Sequence, residues 1–392
     1  MKIGLVLIKT PSYSEKFLIS KIKGLQQGGH KVILFADKND DFKICEVVDM
    51  PKVSKFFFLQ IIKMALAYFT VIIQSPITVI NFLRLEKLDG ISFRFRWENL
   101  YLSSKILSKD LDWIHFCFTT TALRKENVAK SINAKMGVSL RGYDINIYPL
   151  KNKNCYSLLW KKVDKVHSIS NSLLKKAKKH GLDNSIKQEV IFPAINTKRF
   201  KSKTNAVPFN SKNTIQILTV ARLHWIKGIE YIIEAMGKLE SVNFHYTVVG
   251  SGIEYERLVL VVNQLKLTNK VKLVGYIPHD DIVSLYEKAD LYIQYSLEEG
   301  FCNAVLEAQS MGVLTIVSDA SGLSENIVDR KTGWVVPKRD PMLLAKKIKE
   351  IISMDDEKLI IIRLNGIKRV KTKFNLISQK KHFNRFFNEN LF

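Results

Sequence analysis

The chain has 392 residues, 46% of them hydrophobic, which suits two globular domains of ordinary size. Its four cysteines (Cys45, Cys117, Cys155, Cys302) are scattered and its eight histidines form no ligand pair, so neither a disulfide framework nor a metal site is expected. The net charge of +24 is uneven: residues 1–205 hold 36 Lys+Arg against 16 Asp+Glu, and the remainder 25 against 21, so the first half is the one that faces an anionic partner.

Residues 2–8 form a continuous apolar run, as expected of a parallel strand covered on both faces. It is too short for a signal-peptide core and has no small-residue cleavage site. A turn at 9–15, a helix from Phe17 with apolar Leu18, Ile19, Ile22 and Leu25, and a second strand at 30–36 complete one βαβ unit. The turn has no G-x-G-x-x-G, and Ser14 and Glu15 stand there instead, at the strand end where open α/β sheets bind ligands. Residues 64–82 are apolar but interrupted by Gln74, Ser75 and Pro76, marginal for a span that needs about 20 such residues. With Lys52, Lys55, Lys63, Arg84 and Lys87 on its flanks, 56–85 reads as buried or interfacial helices. Strands are expected at 111–118, 137–140 and 165–169. The loop Arg141-Gly142-Tyr143-Asp144 follows one of them, where Arg141 can meet phosphate or can be a plain surface cation. His115, on an apolar strand, reads as a core histidine.

The polar segment 201–213, with Pro208, is the linker candidate, and the αβ rhythm restarts after it. A strand at 215–220 leads into a loop bearing Arg222 and Lys227-Gly228, two cations placed to clamp a diphosphate at a helix start. A strand at 246–249 ends in Gly250-Ser251-Gly252, whose small residues permit close approach of a ligand. Further strands are expected at 271–274, 289–295 and 314–317. The segment 298–307 is the centre of this half: a short turn with Glu298, Glu299, Gly300, Phe301, Cys302 and Asn303, then a helix from Ala304 that carries Glu307. Free N–H groups at such a turn bind anions and polar oxygens, and a carboxylate accepts from neighbouring ring hydroxyls. On the residues alone, both glutamates can equally be ordinary helix residues. The tail from Lys371 reads as a basic, aromatic helix with Phe374, Phe383, Phe386 and Phe387, in need of a partner surface.

Taken together these segments resemble the GT-B-fold retaining glycosyltransferases of family 4. The resemblance rests on Arg222…Lys227-Gly228, the Gly250-Ser251-Gly252 turn, Glu299 with Glu307 eight residues on, Gly322…Glu325 and Thr332-Gly333. Residues 193–200 resemble the stretch preceding the interdomain linker, with Ala194 and Asn196 departing from its common form. Ser14 to Phe17 resembles a loop of the bacterial exopolysaccharide, O-antigen and lipopolysaccharide subgroup. The resemblance implies that Arg222 and Lys227 hold the donor diphosphate. Gly300, Phe301, Cys302, Asn303 and Ala304 would hold the donor sugar with Glu299, and Glu307 the ribose. It also implies transfer with retention, without metal, cofactor or protein nucleophile. Many relatives carry histidine where this chain has Arg141, so Arg141, Asp144, Ser14 and Glu15 are acceptor-side expectations.

The expected architecture is α/β: two Rossmann-like doubly wound domains facing across a cleft, at 1–203 and 204–370, with 371–392 returning to the first. The expected substrates are a UDP- or GDP-sugar and a growing, lipid-linked glycan. The expected location is the cytoplasmic face of an anionic membrane, peripherally bound. Another GT-B enzyme, an epimerase or phosphorylase, is the alternative within the class. A basic nucleic-acid-binding protein is the alternative outside it, with no recognition motif to support it.

Overall fold

A computed structural model describes residues 1–11, 16–39, 41–201 and 214–388 of the chain. By packing, the chain divides into two units. The first comprises residues up to Ile191, Ser170–Ser172 apart, together with the chain from Lys380; the second contains Ser170–Ser172 and Phe192–Gln379. The expected boundary near residue 203 therefore differs from the packing, which places residues from Phe192 onward with the second unit.

The first unit is built on a seven-stranded parallel sheet. Its strands are β1 (Lys2–Lys9), β2 (Lys31–Asp37), β3 (Glu46–Asp49), β4 (Trp113–Phe116), β5 (Lys135–Leu140), β6 (Lys165–Ser168) and β7 (Lys187–Val190). They lie in the order β3-β2-β1-β4-β5-β6-β7, so the winding reverses between β1 and β4. The central strands are buried on both faces, as their unbroken apolar runs require. The edge strands β3 and β7 hold charged residues and no apolar run, which is why sequence periodicity does not reveal them.

The tail expected to be one helix from Lys371 is two. A helix Asp356–Lys373 ends at Phe374, which stacks with Phe192 and Phe301 in the second unit. The next helix, Leu376–Phe387, carries Phe383, Phe386 and Phe387 into the core of the first unit, where Phe387 meets the Trp113 ring edge-on at 5.5 Å. Lys165 Nζ donates to the Phe386 carbonyl at 3.0 Å and Arg385 pairs with Glu189 at 2.8 Å.

Burial of 56–85 is not what the structure shows. Of the 18 residues of the helix Phe57–Gln74 only Val71 is buried, and the helix Pro76–Leu88 buries Val79, Phe82 and Glu86. Helix length and apolar content set the sequence expectation, but neither says which way the apolar side chains point.

The second unit has a six-stranded parallel sheet: β8 (Ile215–Val220), β9 (Phe244–Val249), β10 (Val271–Gly275), β11 (Leu291–Gln294), β12 (Leu314–Ser318) and β13 (Trp334–Val336). The order β10-β9-β8-β11-β12-β13 reverses between β8 and β11. Open α/β sheets bind ligands at such a reversal, outside the carboxyl ends of the strands. Helices Ile229–Met236 and Pro341–Ile352 supply apolar faces to the core formed with Ile217, Tyr246, Ile293 and Trp334.

Candidate functional site in the second unit

Four turns meet at the carboxyl ends of β8, β9, β11 and β12. The loop after β8 lies against the one after β9. Leu223 N–H donates to the Ser251 carbonyl at 2.9 Å, and any Cβ on Gly250 or Gly252 would overlap the carbonyl oxygens of Ala221 and Leu223. The same loop touches the chain after β11, where Leu297 N–H donates to the Ile226 carbonyl at 2.7 Å. The turn after β12 closes the group. Gly322 N–H donates to the Glu299 carbonyl at 3.0 Å, and a Cβ on Gly322 would overlap the Gly300 carbonyl oxygen. Only glycine lets two backbones approach so closely.

Across the β8/β11 reversal, Lys227 Nζ lies 2.5 Å from Glu299 Oε2, each side chain 15% exposed. Burial opposes the Lys227 charge, but the Glu299 carboxylate, with a smaller pull from Cys302, offsets it and holds the pKa above its ordinary value. Arg222 is exposed on the same loop, and its charge opposes that of Lys227. Glu299 is fixed by a row of hydroxyl and amide donors. Tyr292 donates to Gln294 at 2.9 Å, Gln294 to Ser296 at 3.0 Å, and Ser296 to Glu299 Oε2 at 3.2 Å.

Glu307 is buried on the helix Asn303–Ser310. His279 Nε2 is 2.9 Å from its Oε1, and Tyr286 OH donates to Oε2 at 3.1 Å. Arg199 donates to the His279 carbonyl at 2.7 Å and pairs with Asp280, which fixes the loop bearing His279. At the head of that helix, Cys302 N–H donates to Asn326 Oδ1 at 3.1 Å, and Asn326 Nδ2 returns a bond to the Cys302 carbonyl at 2.9 Å. Burial, with the nearby Glu299 charge, pushes the Cys302 thiol up to about 12, so it is no nucleophile at neutral pH. Phe301 is buried against Phe192 and Phe374, Asn303 Oδ1 is buried with no hydrogen-bond partner, and Ala304 offers its carbonyl to Tyr286 at 3.3 Å.

The structure therefore gathers Arg222, Lys227, Gly250, Gly252, Glu299 and Gly300 in one set of turns, with Phe301 to Ala304 leading from them into the helix that carries Glu307. The residues that sequence reading missed are Gln294, Ser296, His279, Tyr286 and Asn326. Each is polar and lies in or beside an apolar element, the one local signal that could have found it.

Arg141 and Asp144 belong to the first unit. Arg141 stacks over Phe17 with its guanidinium 4.1 Å from the ring centre and donates weakly to the Cys117 carbonyl at 3.4 Å. Asp144 is buried, accepts from Thr120 Oγ1 at 2.7 Å, and has a pKa raised by that burial. Ser14 and Glu15 lie outside the described residues. His115 is a core histidine, as read. The Ile191 carbonyl accepts from His167 Nε2, so His167 Nδ1 accepts from Ser139, which in turn accepts from His115 Nε2.

Residues 201–369 match the family described as Glycosyl transferases group 1. That match takes in most of the second unit. Among its relatives is the putative colanic acid biosynthesis glycosyltransferase WcaL of Escherichia coli strain K12, 25% identical over 96% of each chain. Another is the amylovoran biosynthesis glycosyltransferase AmsK of Erwinia amylovora, 26% identical over 70% of this chain and 68% of its own. Anabaena Alr3699/HepE, solved in complex with UDP-glucose, is similar in structure with a TM-score of 0.72, covering 98% of each chain at 16% identity. This neighbour and the two parallel sheets show a GT-B fold. The matched segment contains all four turns and both glutamates.

Proposed function

We propose that the protein is a retaining, metal-independent hexosyltransferase of family 4. It moves a hexose from a nucleotide-diphosphate sugar, UDP- or GDP-linked, to a growing, lipid-linked bacterial surface glycan. The observation that carries this reading is the partly buried Lys227–Glu299 pair across the sheet reversal, walled by turns whose glycines leave the backbone open to a ligand. The names of WcaL and AmsK and the UDP-glucose complex of Alr3699/HepE support it.

In this reading Lys227, held charged by Glu299, and the exposed Arg222 meet the donor diphosphate and neutralise the charge that develops as it leaves. Glu299, already fixed by Ser296 and Lys227, accepts from a sugar hydroxyl. Glu307, oriented by His279 and Tyr286, accepts from the ribose hydroxyls, and the turn from Gly300 to Ala304 lies against the sugar. The acceptor hydroxyl attacks the anomeric carbon on the face the diphosphate leaves. A diphosphate oxygen takes its proton, so configuration is retained and no protein nucleophile is used. Ser14, Glu15, Arg141 and Asp144 serve the acceptor side. The basic first half of the sequence supports a peripheral location on the cytoplasmic face of an anionic membrane, with no nucleic acid among the proposed partners.

The test is thermal stabilisation by UDP, GDP, ADP, CMP and dTDP and their sugars, with EDTA present. A ligand at about 100 times its dissociation constant adds about 2.7 kcal/mol. We expect one base to stabilise the wild type, and folded Glu307→Ala and Arg222→Ala variants to lose the shift. No shift with any nucleotide at saturating concentration would falsify the donor site.

A further inference from the structure

The helix Phe57–Gln74 has its polarity inside out. Its half-buried side holds Gln60, Lys63, Met64, Ala67 and Tyr68 around buried Val71, and Tyr68 is tied to the Trp97 carbonyl at 2.8 Å. The opposite side exposes Phe58, Leu59, Ile61, Ile62, Leu66, Phe69, Ile72 and Ile73, with Phe58 at 79% and Phe69 at 68%. Thr70 bears the one hydroxyl on that side, and it donates back to the Leu66 carbonyl at 2.7 Å. A helix facing water shows the reverse arrangement. The following helix continues the surface with Ile77 (74% exposed) and Ile80 and then turns cationic at Arg84 and Lys87.

Charge sorts the same way. From residue 56 to 83 Lys63 is the single charged residue, and none is acidic. The nearest acids turn inward: Glu86 accepts from Asn99 and Asn127 at 2.7 and 2.9 Å, and Asp89 pairs with Lys162 at 2.7 Å. Lys55, Arg84, Lys87 and Arg94 stay outside, around the apolar surface.

We propose that this two-helix surface is a bilayer-insertion device that dips into one leaflet of an anionic membrane, with the apolar side in the acyl region and the cations at the headgroups. It rests on the reading of the enzyme as one whose acceptor is presented at a bilayer, and it adds which residues enter the lipid and how. The helix Phe57–Gln74 is long and apolar enough to cross a membrane by composition. It lies in the plane instead, because its polar side is fastened to the helix Phe93–Leu107 through Tyr68 and Trp97, whose rings meet edge-on at 5.3 Å, and because Ser75-Pro76 ends it. Apolar insertion makes the binding outlast the salt that would screen charge alone.

The experiment is flotation of the full chain with phosphatidylcholine vesicles, with and without phosphatidylglycerol, at about 0.1 M and about 1 M salt, where the screening length falls from about 10 Å to about 3 Å. Wild type is expected to float with the anionic vesicles and to stay bound at high salt. Leu66→Glu/Phe69→Glu should lower the partition coefficient by roughly tenfold or more at both salts, since insertion scales with buried apolar area. Arg84→Glu/Lys87→Glu should lose only the low-salt preference for anionic vesicles. Release of wild type by high salt, or unchanged binding of the Leu66/Phe69 variant, overturns the proposal. So does a wild-type dimer in solution that this variant dissociates and vesicles do not, which would assign the surface to a second copy. Nucleotide stabilisation, read on the same samples, keeps the two readings apart. Retention at high salt with no nucleotide shift supports insertion while ending the donor-site reading.

Discussion

The two sheets have nearly the same winding and opposite habits with polar side chains. In the first unit, polar groups on the central strands are sealed inward. His115, Ser139 and His167 pass a chain of hydrogen bonds across the sheet, Lys21 is buried beside Phe383 with its Nζ 4.5 Å above the ring, and buried Asp144 accepts from Thr120. In the second, the polar groups stand at the strand ends, fixed from behind by donors and fronted by glycine turns. The same frame thus seals its polar groups inward in one unit and gathers them at the strand ends in the other, and the turns decide which.

The harshest way to break this comparison is Glu299→Ala. It strands the Lys227 ammonium without its partner, and we expect a loss of about 3–5 kcal/mol of stability together with all nucleotide stabilisation. Urea denaturation and thermal shifts measure the two, and an unchanged midpoint would mean the pair is no more than a surface contact.

Gly322→Ala comes next. With no room between two backbones, about 1–3 kcal/mol should be lost, and nucleotide binding should fall because the turn at Glu299 and Gly300 must move. Wild-type affinity in this variant would show that the glycine turns do not shape the site.

The first unit offers a change of opposite sign. Burial first, against a lesser upward pull from Cys117 and with a smaller push from the Arg141 charge, lowers the Lys21 pKa to about 8, while the unfolded chain keeps the ordinary 10.5. Below about 8 both states are protonated and the cost of burying the charge is fully present. Between about 8 and 10.5 the unfolded state alone holds the proton, so stability should rise with pH. Lys21→Met should therefore gain roughly 1–3 kcal/mol at pH 7 and flatten that rise. His115 and His167 act in the acid range. Burial, then the Lys21 charge, holds both well below the ordinary 6.5, so stability should fall as pH drops below that value. Denaturation midpoints across pH check both limbs, and a wild type less stable at pH 10 than at pH 8 contradicts the sealed-in picture.

The smallest effect should come from Tyr286→Phe. Removing one donor from Glu307 should cost about 1 kcal/mol, or roughly fivefold in nucleotide affinity, read by calorimetry at several pH values. His279 remains to hold the other oxygen.

The αβ rhythm was legible because each central strand is a continuous apolar run; the linker expected at 201–213 lies almost wholly outside the described residues. Lys227, Glu299 and Glu307 stood out because they follow such strands, but spacing alone left the glutamates equally readable as ordinary helix residues, and only the resemblance attached roles to them. The edges β3 and β7 were not, since a strand paired on one side need not be apolar. The partners of the glutamates were not either. His279 and Tyr286 reach Glu307 from a loop and a helix 28 and 21 residues away, and no local pattern encodes that meeting. The helix Phe57–Gln74 was legible as a helix, but apolar composition is the same for a core and for an outward face.

The helix Leu376–Phe387 sets an order of events during synthesis. The sheet of the first unit is translated by Val190, yet the side chains that cover Trp113 and His115 come from Phe386 and Phe387. At roughly 5–20 residues per second, a nascent chain holds that sheet uncapped for on the order of 10–40 s. The chain matures last where it begins first.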